Sequence, residues 1–254
     1  MSGVSVRSID IRVSVAQSDV VGRPFGRDGL TAAMEKYDTE AAVLVSSLAV
    51  ACDFRRGNEE LLELIHGDDR LFGYLVVNPN HPEESIQHIR ARMNSPDFLA
   101  VALFQGATAP YPKLEDYRDI LSACRRFAKP VFIETVDAEA VAEAERIAAE
   151  FSTVKFIFGS MGGPDWKRAV NSARTYFNVY LETSGSYDAE KIEEAVEKAG
   201  AHRILFGSGL PFSDPASILA LIQNSNISEE AMAKILGENA RRLFDLPPAA
   251  PTEE

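Results

Sequence analysis

The chain has 254 residues, 46% hydrophobic and 25% charged, with a formal net charge of −12 and an isoelectric point near 4.9. That charge repels phosphate backbones and anionic lipid, which argues against nucleic-acid and membrane-surface roles. No apolar run reaches the roughly 18 residues needed to span a bilayer. The opening MSGVSVRSIDIRVSV alternates polar and apolar residues and lacks the apolar stretch of a signal peptide. The two cysteines, Cys52 and Cys124, form no spaced framework. Reduced thiols in a cytoplasmic protein are the expectation.

In chain order, short β-branched runs alternate with longer helical patterns. Strands are expected at Ser5–Ser14, Ala41–Ser47, Leu71–Val77, Leu99–Phe104, Pro130–Thr135, Val154–Ser160, Val179–Thr183 and Arg203–Ser208. Several are nearly continuous apolar runs, as strands buried on both faces should be. Helices are expected near 29–37, 58–67, 82–94, 114–128, 137–151, 164–175, 188–199 and 215–224, with a ninth over Ser228–Phe244. Asn58, Asp137, Asp188 and Asp214 stand at N-cap positions, and Pro215 suits a first helical turn. Strict alternation imposes parallel pairing and right-handed crossovers. No G-x-G-x-x-G follows the first strand, which removes the usual reason for an open doubly wound sheet. The expected fold is a single (β/α)8 TIM barrel over 1–246 with an extra C-terminal helix, followed by a flexible tail at 247–254.

The segments Arg203-Ile-Leu-Phe-Gly-Ser208 and Lys234-Ile-Leu-Gly-Glu-Asn-Ala-Arg-Arg-Leu-Phe244 carry a resemblance. With them go Ile9-Asp10-Ile11, Val76-Val77-Asn78-Pro79, Lys129-Pro130-Val131-Phe132-Ile133, Phe158-Gly159-Ser160-Met161-Gly162-Gly163 and Asn178–Gly185. In this order and spacing the chain resembles the amidohydrolase-2 family of metal-dependent TIM-barrel hydrolases and decarboxylases. The resemblance implies a metal at the C-terminal mouth. Two histidines from the first strand, one each from the fifth and sixth, and an aspartate ending the eighth would hold it. Some members add a lysine or histidine on the fourth. At these positions the chain has Arg12 and Ser14, Glu134, Ser160 and Gly209, with Ala102 and Phe104 on the fourth strand. The histidines His66, His81, His88 and His202 fall on helices, helix ends or the strand-entry side. The expectation is no metal and no other cofactor.

Arg12 and Glu134 are the substitutions with chemical content, since a guanidinium facing a carboxylate can form a bidentate pair. Arg12, Glu134 and Glu182 are the catalytic candidates, and Arg12, Ser14, Glu134, Ser160, Ser184 and Ser208 the candidate ligand-binding residues. Phe104, Phe132, Phe156 and Phe158 read as barrel filling. Two functions are expected, in this order. The first is a non-catalytic subunit or regulator acting with a metal-bearing paralogue in a homo- or hetero-oligomer. The second is a metal-free hydrolase or lyase acting on a small anionic substrate at the mouth.

Overall fold

The computed structural model describes residues 7–16, 24–105 and 113–247. Eight strands form one parallel sheet whose order is the chain order: β1 (Ser8–Val15), β2 (Thr39–Ser46), β3 (Leu71–Val76), β4 (Phe98–Leu103), β5 (Val131–Ile133), β6 (Phe156–Phe158), β7 (Val179–Glu182) and β8 (Ile204–Leu205). The last strand returns to the first. Ile11 N–H donates to Phe206 O at 3.0 Å, Gly209 N–H to Arg12 O at 2.9 Å, and Ser14 N–H to Leu210 O at 2.7 Å. The expected (β/α)8 barrel is therefore the fold. Among the described residues no helix is long and apolar enough to cross a membrane.

The helices are α1 (Arg27–Lys36), α2 (Ser47–Ala51), α3 (Phe54–Ile65), α4 (Pro82–Arg92), α5 (Leu114–Cys124), α6 (Ala138–Glu150), α7 (Trp166–Thr175), α8 (Ala189–Ala199), α9 (Pro215–Asn224), α10 (Glu229–Ala233) and α11 (Asn239–Phe244). Two layers of core follow from strand alternation. Leu44, Leu75, Val101 and Phe156 pack with apolar residues of the helices. Tyr74, Ala100, Ala102 and Phe132 form the second cluster, on the alternate positions of their strands.

Three expectations change. Asn58 is no N-cap: α3 begins four residues earlier, with Asp53 accepting from the Arg55 and Arg56 N–H groups. Asn58 is instead buried inside α3, where its amide bonds Val76 O at 2.8 Å and Val76 N–H at 3.0 Å. A short helix, α2, precedes it, capped by Ser46 at the end of β2. The closing helix runs through a π turn at Lys234–Glu238, where Gly237 lies close to the Arg7 carbonyl. Asp137, Asp188 and Asp214 do cap α6, α8 and α9, each accepting a backbone N–H. Residues 5–6 of the first expected strand and 248–254 of the expected tail lie outside the described residues.

Candidate active site

On β1 the side chains of Asp10 and Arg12 share a face because a strand repeats every two residues. The Arg12 guanidinium lies over two aromatic rings, its carbon 4.5 Å from the Phe104 centroid and 5.2 Å from that of Phe132. Phe104 and Phe132 themselves stack at 5.2 Å. Arg12 Nη2 donates to Glu134 Oε1 at 2.9 Å, and both side chains are 14% exposed. The pair expected from the sequence thus exists across the barrel. Arg12 Nη1 is buried and has no protein partner.

Beside this pair sit two carboxylates with almost no access to water. Glu182, at the end of β7, accepts from Ser184 N–H at 2.5 Å, Ser184 Oγ–H at 2.9 Å and Ser160 N–H at 3.1 Å. Asp10 accepts from Arg12 N–H at 3.0 Å and Ser208 N–H at 2.9 Å. Burial pushes the Glu182 carboxyl up to about 7, against the opposing pull of Arg12 and of the donors from Ser160 and Ser184. Burial likewise raises Asp10 to about 6, against bonds from Ser208 and Arg12. Tyr74, fully buried, donates to Ile11 O at 2.9 Å. Its hydroxyl is raised by burial first and then by the nearby Glu182 charge, with Arg12 opposing. These groups form one electrostatic unit.

Backbone geometry makes room for it. A Cβ on Gly207 would lie 2.1 Å from Glu182 Oε1 and 2.7 Å from Arg12 Cβ, so only glycine lets the two approach from either side of β8. After β6 the chain turns through four successive positive φ values at Ser160, Met161, Gly162 and Gly163. Two of these are not glycine, and left-handed backbone at such residues is a local strain found at functional sites. That turn aims the Ser160 N–H at Glu182 and sets Ser160 Oγ 3.5 Å from Ser184 Oγ.

The structure brings together Arg12 and Glu134, and separately Ser160, Ser184 and Glu182. Ser208 joins Asp10 and accepts Leu210 N–H at 3.0 Å, so it serves the seam between β8 and β1. Ser14 stands on the same seam. Phe104 and Phe132 do face the barrel interior, but Phe156 and Phe158 pack with the helices. Tyr74 is absent from the sequence candidates, and the sequence offers Asp10, with Glu134 and Glu182, only as a carboxylate for a hard cation. An acidic residue between Ile9 and Ile11 on an apolar strand was the available signal for Asp10.

The donor set does not fit the metal that the resemblance implies. Asp10 and Glu182 are engaged by N–H and O–H donors, Glu134 is paired, and a guanidinium stands among them. Among the described residues no three or more His, Cys, Asp or Glu are grouped to hold an ion. His66 and His81 lie at helix ends, His88 within α4, and His202 in the turn before β8.

Comparison with known proteins adds the following. The amidohydrolase family model matches residues 20–246. A gamma-resorcylate decarboxylase of a Polaromonas species is 38% identical over 73 residues, which is 28% of this chain and 22% of that relative. The match thus reaches about a fifth of the relative's length. A dihydroxybenzoic acid decarboxylase from Polaromonas, solved with bound manganese and the inhibitor 2-nitroresorcinol, superposes with a TM-score of 0.74 at 18% identity, covering 95% of this chain and 98% of that one. The 5-carboxyvanillate decarboxylase of Sphingomonas paucimobilis gives 0.78 at 15% identity, covering 96% and 100%. These relatives are decarboxylases by name. The expectation of a non-catalytic subunit beside a metal-bearing paralogue is corrected accordingly. It took an exchange of side chains at five positions for loss of activity, whereas the mouth retains a charged, buried and hydrogen-bonded set.

Proposed function

The chain belongs to the amidohydrolase family, and on that premise we propose that it is a lyase removing CO2 from a small aromatic carboxylate at the barrel mouth. One observation carries the reading. The Arg12 guanidinium is held against Phe104 and Phe132 with Glu134 on one terminal nitrogen and no protein partner on the other. A guanidinium recognises a planar carboxylate through two parallel bonds, and a desolvated setting strengthens them. Neighbouring aromatic faces suit a substrate ring. Glu134 balances the Arg12 charge and orients the fork. In the reaction the bond between ring and carboxylate breaks, CO2 leaves, and the electron pair left on the ring carbon takes a proton.

The decarboxylase activities of the relatives support the same reaction class. The test is CO2 release from 2,6-dihydroxybenzoate, 5-carboxyvanillate and related hydroxybenzoates, with Arg12→Met beside the wild type. Release from at least one of them, falling about 100-fold in Arg12→Met, is expected for a buried charge-stabilising donor. A folded wild type that releases no CO2 from any of these acids overturns the reading.

A further inference from the structure

Decarboxylation consumes a proton, and the mouth contains one guanidinium for three carboxylates: Arg12 against Asp10, Glu134 and Glu182. With every group ionised this unit carries two negative charges in a site almost closed to water. A further anion cannot enter such a site at neutral pH unless a proton enters with it. Of the three acids, Glu134 is already paired with Arg12. Asp10 is tied into the β1–β8 seam. Asp10 also has the Ser208 hydroxyl beside it, but that oxygen accepts Leu210 N–H within the seam. The hydroxyl on Glu182 leads towards the site: Ser184 Oγ lies 2.9 Å from Glu182 Oε2, and Ser160 Oγ 3.5 Å from Ser184 Oγ. Ser184 is buried whereas Ser160 is partly exposed. The three residues therefore run from a sealed acid to the solvent side of the site, along the turns that follow β6 and β7.

We propose that Glu182 is the proton store of this site and that Ser184 and Ser160 relay its proton to the reacting carbon. The inference rests on the lyase reading and deepens it. In the charged state Ser184 Oγ–H donates to Glu182, as observed. In the loaded state the direction reverses. Glu182 O–H donates to Ser184 Oγ, Ser184 Oγ–H to Ser160 Oγ, and Ser160 Oγ–H faces the ring. As the ring loses CO2, its carbon takes the Ser160 proton, each hydroxyl takes the proton of the one behind it, and Glu182 is left as a carboxylate. Water re-protonates it for the next turnover. The groups facing Glu182 are consistent with this duty. Arg12 from β1 favours its charge, and Ser160 and Ser184 solvate that charge. Tyr74 from β3 senses both Glu182 and Asp10. Burial opposes all of these and holds the acid close to neutrality. Ser160 and Ser184 are relay residues, and Glu182 acts through them without touching substrate.

The experiment is calorimetric titration of wild type and Glu182→Gln with benzoate, which lacks the ring hydroxyls of the relatives' substrates, in two pH 7.5 buffers of different ionisation heat. It is paired with steady-state kinetics of Ser184→Ala, Ser184→Thr and Ser160→Ala on the best decarboxylated acid. The expected result is a fractional proton taken up per benzoate bound by the wild type and none by Glu182→Gln. The expected kinetic result is kcat lowered about 10-fold or more in both alanine variants at unchanged KM, with Ser184→Thr recovering it. Equal proton uptake by wild type and Glu182→Gln, or full kcat in both alanine variants, overturns the relay. Should Glu182→Gln not fold, the serine variants decide alone. Benzoate binding without proton uptake overturns the store and leaves the lyase reading standing. Proton-coupled binding with no CO2 release from any acid overturns the lyase reading instead; where benzoate does not bind, the serine variants decide the relay and CO2 release decides the lyase reading.

Discussion

The two halves of the barrel are built differently. Strands β1 to β4 have 8, 8, 6 and 6 residues, whereas β5 to β8 have 3, 3, 4 and 2. Among the described residues, the positive φ values in the turns that leave strands lie in the second half, at Ser160–Gly163, Gly185 and Gly209. After β2 and β3 the polar groups near the strand ends are satisfied locally. Ser46 caps α2, and Asn78 and Ser85 exchange hydrogen bonds at the start of α4. The lesson is a division of labour. The long strands form a scaffold whose polar groups are satisfied locally, while the short strands yield their backbone to turns that aim N–H and O–H groups at a buried acid. Arg12 is the long-strand side chain that forms an ion pair across the barrel with the other half, at Glu134.

The sharpest way to break the comparison is Gly207→Ala, on the second-half side. The added methyl meets a buried carboxylate oxygen and the Arg12 stem at once. A loss of about 3 kcal/mol in urea unfolding, together with complete loss of CO2 release, is expected from overpacking of this kind. Arg12→Met follows. It leaves Glu134 without its cation in a mostly buried place and should cost about 3 kcal/mol by thermal melting. The double variant Arg12→Met with Glu134→Leu removes both charges and should return to within about 1 kcal/mol of wild type while remaining inactive.

The pH dependence of stability tests the buried acid. Glu182 is raised from 4.5 to about 7 in the folded protein. The folded state therefore holds this proton more tightly than the unfolded chain does. Stability from this source is full below about pH 4.5, declines as pH rises, and is fully lost above about pH 7. At about 1.4 kcal/mol per unit the effect is on the order of 3 kcal/mol. Glu182→Gln should match wild type near pH 5 and exceed its unfolding free energy near pH 8. Equal slopes for the two proteins between pH 5 and pH 8 would refute the assignment. Asp10, raised in the same direction, keeps part of the slope in both.

On the scaffold side the smallest effect is expected from Asn58→Ala. It strands the N–H and C=O of Val76 inside the protein and should cost about 2 kcal/mol. The KM and kcat of the folded variant should stay at wild-type values, because Asn58 braces β3 from outside the mouth. A large change in kcat there would blur the division between halves.

How much of this was legible in advance differs by element. Alternating apolar runs and helical patterns specified eight strand–helix units, because burial on both faces of a parallel sheet leaves a long apolar signature. The Arg12–Glu134 pair was legible too, since two opposite charges at inward positions of one barrel have few other partners. Asn58 misled as a cap because its amide serves a strand 18 residues away, a partner that local spacing does not reveal. The second-half strands were drawn too long for a related reason: Ser160 and Ser208 continue the β pattern, yet the turns after β6 and β8 bend them out of it, and Val154 and Lys155 lie in the approach to β6.

The sequence by itself determined the closed barrel, its caps at Asp137, Asp188 and Asp214, and the residues available at the mouth. These follow from periodicity and short-range bonding, which are properties of neighbours along the chain. Only the tertiary structure decided that Glu182 lies sealed across Gly207 from Arg12, that Arg12 rests on Phe104 and Phe132, and that Ser184 and Ser160 lead away from the buried acid. Those relations join residues from six different strands and their turns. Their energies depend on burial, and burial exists only once the ring has closed.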